Sequence, residues 1–425
     1  MKHLKISLLL LLSVLFPLTA LAQSTEISPY SRFGYGALSS GENAVQRAMG
    51  GVGLAMRSGR TINFMNPASY AAIDSVTFLF DISASVKTLK TSEIRDKEEL
   101  TGKKFTGGLD YVAIQFPLTR YGGMAVGLTP YSQVGYSFGN EIMNGTNAHQ
   151  GSGGISELFI GLSAKPFKGL TVGANISYMF GTLLHDTYVY GVNEQTGQTS
   201  TSLFERVTQV RDYNLKFGVQ YGVAVGRDNY FTLGAIYSPK KSFHGHAYGV
   251  KYDVGSDTKN DTIGYASMKG LYEKAPLYGV GLSWQWRGQL LVEADFTYEP
   301  WKDAKYRLIE GFDQTTGSRF DDRWKMALGA QYVPAIRGGY LRRINYRLGG
   351  YYSNDYIMVG SNNVREYGLS LGFGLPAPSS KTMINLSFDY RHREATPQTL
   401  VKENYFQVTL GVNINELWFW QNKIR

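Results

Sequence analysis

From Val76 onward the chain alternates apolar and polar residues in runs of about ten, and each run ends in a break. The last run is the cleanest. Phe406, Val408, Leu410, Val412 and Ile414 share one face, and Tyr405, Gln407, Thr409 and Asn413 share the other. A period of two excludes an α-helix, whose apolar positions recur every three to four residues. Ile384, Leu386, Phe388 and Tyr390 oppose Asn385, Ser387, Asp389 and Arg391 in the same way, and Leu290, Val292, Ala294 and Phe296 oppose Glu293, Asp295 and Thr297. Leu215, Phe217, Val219, Tyr221, Val223 and Val225 likewise oppose Lys216, Gly218, Gln220 and Gly222. One face of each run is apolar enough to meet lipid, and the other is polar or very small.

The breaks alternate in length. Short ones fall at 120–122, 167–169, 227–229, 287–288, 335–339 and 376–380, and long ones near 90–104, 138–153, 183–209, 250–262, 300–322, 354–362 and 393–401. Such spacing predicts an all-β fold, a transmembrane antiparallel β-barrel of about 14 strands with tight periplasmic turns and longer outer loops. A secreted β-sandwich or β-propeller also alternates, but its outward face is ordinarily polar. Here the face opposite the apolar one carries Gly127, Gly161, Gly173, Gly234, Gly279, Gly281, Gly349, Gly368 and Gly372. Glycine weakens a strand interior unless another backbone comes close. A plug inside the lumen is such a backbone.

The ends of the chain set the compartment. Lys2 and Lys5 precede an apolar stretch from Ile6 to Leu18, and Ala20-Leu21-Ala22 is a cleavage signal, so residues 1–22 read as a secretory signal peptide. No later window holds the roughly 20 apolar residues of a membrane helix. Mean hydropathy is −0.21, a value also found in soluble proteins. An exported chain with 30 Tyr, 22 Phe, 49 Gly and 0 Cys nevertheless has the composition of a barrel of the cell outer membrane. The formal charge of +9 stays positive without Lys2 and Lys5. Export, and the lack of basic clusters interleaved with stacking aromatics, exclude nucleic acid as its counterpart. The excess gathers near the short turns, at Arg120, Lys165, Lys168, Arg227, Arg287, Arg337, Arg342, Arg343 and Lys381, with Asp228 nearly alone against them. Outer-membrane lipids with anionic headgroups, or an acidic periplasmic protein, would answer that asymmetry.

Residues 23–74 do not alternate. They hold Tyr30-Ser-Arg-Phe-Gly-Tyr-Gly36, Arg47-Ala-Met-Gly-Gly-Val-Gly-Leu-Ala-Met56 and Asn63-Phe-Met-Asn-Pro-Ala-Ser-Tyr70, in which clustered Gly and Pro mark turns. Leu54, Met56, Ile62, Phe64 and Met65 make the segment too apolar for a solvated tail, so it reads as an N-terminal hatch inside the barrel. The order Ala48-Met-Gly-Gly-Val-Gly, then Asn66-Pro-Ala, then the strands, resembles the FadL-type outer-membrane transporters over nearly all of the mature chain. That resemblance implies a fourteen-stranded barrel plugged by a hatch. It also implies passive uptake of small hydrophobic compounds, of the fatty-acid or aromatic type, with exit sideways through a gap at a kinked third strand. The Asn-Pro-Ala of the hatch would lie near that gap, and here it matches Asn66, Pro67 and Ala68. Independently, Pro130 interrupts the third run, and Pro cannot donate to a strand ladder.

One feature departs from that family. The chain continues past Ile414 as Asn415-Glu-Leu-Trp-Phe-Trp-Gln-Asn-Lys-Ile-Arg425, whereas such barrels commonly end near an aromatic residue. The superfamily also contains non-transporting subunits, of which the PorV-type protein of the type IX secretion system is one. Residues 415–425 are therefore read as a periplasmic tail whose Leu417, Trp418, Phe419 and Trp420 meet the rim or a protein partner. The barrel is placed at 75–414. No catalytic set is present, and no cofactor or metal is expected. His244-Gly-His246 share a strand face, but no carboxylate cluster accompanies them.

Overall fold

A computed structural model describes residues 27–74, 76–95, 98–142, 145–192, 199–254, 261–309, 320–335, 338–378 and 381–417. Residues 1–22, expected to be a signal peptide, and the tail residues Trp418, Phe419 and Trp420 lie outside the described residues. No described helix is long and apolar enough to cross a membrane.

The wall is a closed antiparallel barrel of 14 strands. In chain order these are β1 (Thr77–Arg95), β2 (Glu98–Thr119), β3 (Gly122–Gln133), β4 (Gly145–Ala164), β5 (Leu170–Val192), β6 (Thr199–Val225), β7 (Asn229–Ser238), β8 (Leu277–Trp286), β9 (Leu290–Glu299), β10 (Arg323–Tyr332), β11 (Asn345–Val359), β12 (Asn362–Pro376), β13 (Met383–Thr396) and β14 (Val401–Leu417). Neighbours in sequence pair in sequence, and β14 closes on β1 from Thr77↔Leu417 to Glu93↔Val401. The last strand thus runs three residues past the boundary expected at Ile414, and Leu417 belongs to the wall. Extra strands at Tyr136–Ile142, Gly245–Val254 and Asp261–Ser267 extend the outer end.

Alternation sorts the side chains as the sequence requires. Along β14, Tyr405, Gln407, Thr409 and Asn413 are buried in the lumen, while Phe406 and Leu410 stand half-exposed outside. Leu369, Leu348 and Leu328 are about 60 % exposed as well. A continuous outward belt of this kind would be unstable in water and is stable in lipid. Several of the long breaks read from sequence are in fact strand. The expected loop 183–209 is mostly the paired outer halves of β5 and β6, and of 354–362 only residues 360–361 form a turn, the rest being the end of β11 and the first residue of β12. Beyond His185 and Arg206 the described residues of both strand faces are exposed or only partly buried, so the apolar half of the pattern disappears while the hydrogen-bond ladder continues.

The hatch fills the lumen. Its one α-helical turn, Ala44–Arg47, starts with reciprocal hydrogen bonds: Gln46 N–H donates to Asn43 Oδ1 and Asn43 N–H to Gln46 Oε1, both at 2.8 Å. The chain then reverses at Gly50 and Gly51, with φ of 74° and 78°. A second segment, Pro67–Ala72, is a 3-10 helix capped by Asn66, whose Oδ1 accepts from Ala68 N–H at 3.1 Å. Seven of the nine lumenal glycines named above, all but Gly127 and Gly368, face hatch atoms. A Cβ on Gly173 would sit 2.5 Å from the Pro67 carbonyl carbon, and one on Gly349 would overlap the Met49–Gly50 peptide.

Candidate functional site: the hatch and the side seam

Polar pins tie the hatch to the wall. Asp295 Oδ2 accepts from the N–H groups of Gly53 and Leu54 at 2.7 and 2.9 Å, and Glu293 Oε1 accepts from Ala55 N–H at 2.7 Å. Arg47 Nη1 lies 2.8 Å from Asp110 Oδ2, and Lys325 Nζ lies 3.4 Å from Glu42 Oε2. These lumenal charges thus pair with the plug, whereas Arg347 and Asp81 bond within the wall, to Gln331 and Asn385 and to Tyr111 and Asn413. Burial alone would raise the Glu42 carboxyl, but Lys325 and Arg47 outweigh it and hold Glu42 below the ordinary glutamate range.

An aromatic core occupies the outer half of the lumen. Tyr35, Phe243, Tyr272, Trp301 and Tyr356 are all essentially inaccessible and pack as one aromatic cluster. Tyr35 lies edge-on to Phe243 with ring centres 5.2 Å apart, and Tyr35 N–H donates to Tyr356 Oη at 2.9 Å. The residues come from the hatch, from outer connections and from β11, so no local pattern announces them.

The wall itself is unzipped on one side. β2 and β3 pair from Thr119↔Gly122 up to Val112↔Leu128, and no pairing between them continues above that point among the described residues. The freed edge of β3 is taken instead by the hatch: Ala37 pairs with Gln133, Leu38 with Ser132, and Ser39 N–H donates to Tyr131 O at 2.9 Å. Against β4, β3 shifts register between Pro130 and Ser132. Pro130 therefore sits two residues above the end of the β2 ladder, beside a bulge, where its missing N–H leaves no donor orphaned. Higher up, Lys104 Nζ reaches across to Ser137 O at 2.9 Å. Phe105 and Leu109, on the part of β2 that has left β3, are 71 % and 37 % exposed and continue the outward apolar face beside the seam.

Two cavities flank the hatch strand Ala37–Leu38, and Pro130 borders both. One, of about 100 Å³, has an apolar floor of Leu54, Phe64, Met65, Phe159 and Ile236, with Glu157, Lys216 and Lys274 among its polar lining. The other, of about 170 Å³, is lined by charged groups including Arg47, Asp110, Lys325, Glu366 and Arg391.

The residues singled out from sequence are not all brought together. Asn66, Pro67 and Ala68 pack against β5 and β6, at Gly173 and Gly218. Asn66 Nδ2 donates to Leu54 O at 2.7 Å and Val219 O at 3.3 Å. Its amide is committed to those two carbonyls and not to the backbone at Pro130, beside which the family resemblance would put the motif. Only later residues of the same 3-10 helix reach the third strand, where Tyr70 O abuts Gly123. The segment that covers the gap is Ala37–Leu38, which sequence reasoning missed because a two-residue strand carries no periodicity. His244 is turned to Asp212, with Nδ1 3.2 Å from Oδ2, and no metal-sized group of three ligands occurs among the described residues.

A sequence profile of the BamG family matches residues 2–425. The chain belongs to the BamG family. No curated protein matches it in sequence. Solved barrels match it in shape. A Pseudomonas aeruginosa FadL homologue superposes with a TM-score of 0.62 at 12 % identity, covering 90 % of this chain and 99 % of that one. The Pseudomonas putida toluene transporter TodX gives 0.62 at 16 %, covering 90 % and 100 %. The Ralstonia pickettii toluene transporter TbuX gives 0.55 at 16 %, covering 88 % and 98 %. This BamG-family chain therefore has the FadL-type fold, as its hatch motifs implied, and the identities carry the fold alone.

Proposed function

We propose that the protein is an outer-membrane channel through which small hydrophobic compounds pass passively, leaving sideways at the seam between β2 and β3. The observation that carries this reading is the ladder that stops at Leu128, with an apolar-floored cavity bordering Pro130 beside it. A hydrophobic solute crossing a watery pore would lose about 25 cal/mol for each Å² exposed, and a side exit avoids that loss. Unpaired backbone at membrane depth is tolerated only where protein covers it or it lines a cavity, and Ala37–Leu38 supplies such cover. Proteins of the same fold include ones named as toluene transporters, which agrees with a hydrophobic solute. Residues 1–22 as a cleaved leader, 23–74 as hatch and a short tail complete the proposed organisation. Tracer uptake tests the route: Pro130→Val should slow entry of a fluorescent hydrophobic compound while the heat-modifiable folded band and surface abundance stay unchanged. Unaltered uptake would remove the lateral exit.

A second reading is favoured by the aromatic cluster that fills the outer half of the lumen. A barrel sealed at that end suits a non-transporting subunit of an outer-membrane secretion or assembly complex, with the wall and the C-terminal residues docking protein partners. Purification from native membranes separates the two, since a lone barrel supports the channel and a stable stoichiometric complex supports the subunit.

A further inference from the structure

The short-turn end repeats one chemical sequence around the barrel. On β2 the outward Leu118 is followed by Arg120 and Tyr121, and on β4 the outward Leu162 is followed by Lys165, Phe167 and Lys168. On both turns a hydrocarbon-facing leucine gives way to cations with an exposed ring beside them, the two side-chain types that suit the interface and phosphate depth of a bilayer. Three guanidinium groups lie over rings at this rim: Arg120 over Tyr121 at 4.4 Å, Arg287 over Trp286 at 4.9 Å and Arg343 over Tyr340 at 5.9 Å. Phe167 and Leu341 are 73 % and 70 % exposed, more than most of the lipid belt. The turns are also stapled to one another. Lys165 N–H donates to Tyr121 O at 2.7 Å, Gly222 N–H to Gly169 O at 2.9 Å, Arg287 N–H to Asp228 O at 2.8 Å and Val333 N–H to Gln289 O at 2.8 Å. The one acid amid the cations of these turns, Asp228, is held by Arg287 Nε at 3.0 Å.

We propose that this rim is a preformed ring for the anionic headgroups of inner-leaflet phospholipid. The cations stand at the circumference, in direct continuation of the lipid-facing strands, so a bilayer of the right depth meets them without any rearrangement. Among the described residues the outer end offers no such ring, because its charges are of both signs and pair locally, as Lys302 does with Asp321 at 2.8 Å.

Native mass spectrometry of the detergent-purified full chain, offered equal phosphatidylglycerol and phosphatidylcholine, tests the ring. The wild type should retain phosphatidylglycerol about tenfold over phosphatidylcholine. The combined variant Arg120→Gln, Lys165→Gln, Lys168→Gln and Arg287→Gln should retain the two equally while keeping its heat-modifiable band. A charge-preserving variant, Arg120→Lys with Arg287→Lys, keeps the preference and separates charge from fold. Equal retention by the wild type, or an unchanged preference in the neutralised variant, overturns the proposal. So does salt-sensitive binding of poly-glutamate by a wild type that shows no lipid preference, which would assign the rim to an acidic protein.

Discussion

Arg47 and Asp110 are the residues on which the seating of the hatch most depends. Each is less than one-fifth exposed, their atoms are 2.8 Å apart, and Ser83 and Ser85 also donate to Asp110. Removing one member of such a pair leaves a charge without its partner, at about 3 kcal/mol. Arg47→Met should therefore speed hydrogen exchange throughout residues 43–56, and adding Asp110→Asn should restore much of the protection. Glu42 adds a pH dependence of definite sign. Its folded pKa is depressed, so the stability it contributes is present above the ordinary glutamate value and is lost as pH falls through the folded one. Exchange in the hatch measured on descending pH should rise there, and Glu42→Gln should flatten the profile. Glycine at close approaches gives a third test. Gly349→Val forces a side chain into the Met49–Gly50 peptide and should destabilise the barrel by about 1–3 kcal/mol, whereas Gly339→Ala meets open space and should be neutral in the same denaturation assay.

Among the elements, the last strand sharpens the expectation for the C-terminus. Asn415, Glu416 and Leu417 pair with Leu79, Phe78 and Thr77. Deletion from Trp418 should spare the heat-modifiable band, while deletion from Asn415 removes three closing pairs and should weaken or abolish it. Within the membrane the strands were legible from sequence because lipid and lumen demand opposite chemistry on alternate residues, as Phe406 and Gln407 display. The glycine-lined lumen was legible for a similar reason, since Gly173 and Gly349 have no purpose in a strand unless a backbone lies against them. The outer ends of β5 and β6, beyond His185 and Arg206, were not legible, because neither face is buried there and nothing demands opposite chemistry on alternate residues. The seam was only half legible. Pro130 announced a break, but which strand would occupy the freed edge depends on Ala37 and Leu38 meeting Gln133 and Ser132, nearly a hundred residues away, and no local signal encodes such a meeting.

At the scale of the molecule, the alternation of short and long connections predicts which end faces outward, and a chain with 0 Cys permits a clean test. An impermeant maleimide on intact cells should label Ser361→Cys, in the exposed turn after β11, and leave Lys168→Cys unlabelled until the outer membrane is breached. Reversed labelling would invert the topology and remove the lipid ring with it. The contacts of the first described residues carry a further consequence. Ser28 Oγ donates to Glu403 at 2.7 Å and Tyr30 Oη to Val401 O at 2.6 Å, across 375 and 371 residues of chain. Bringing such distant positions together costs little more than for a loop half as long, about 0.6 kcal/mol per doubling. The delay is instead one of availability, because both acceptors belong to β14, which is synthesised and exported last. Ser28 and Tyr30 thus reach their final contacts only once β14 is in place, although they precede every strand of the wall in the chain.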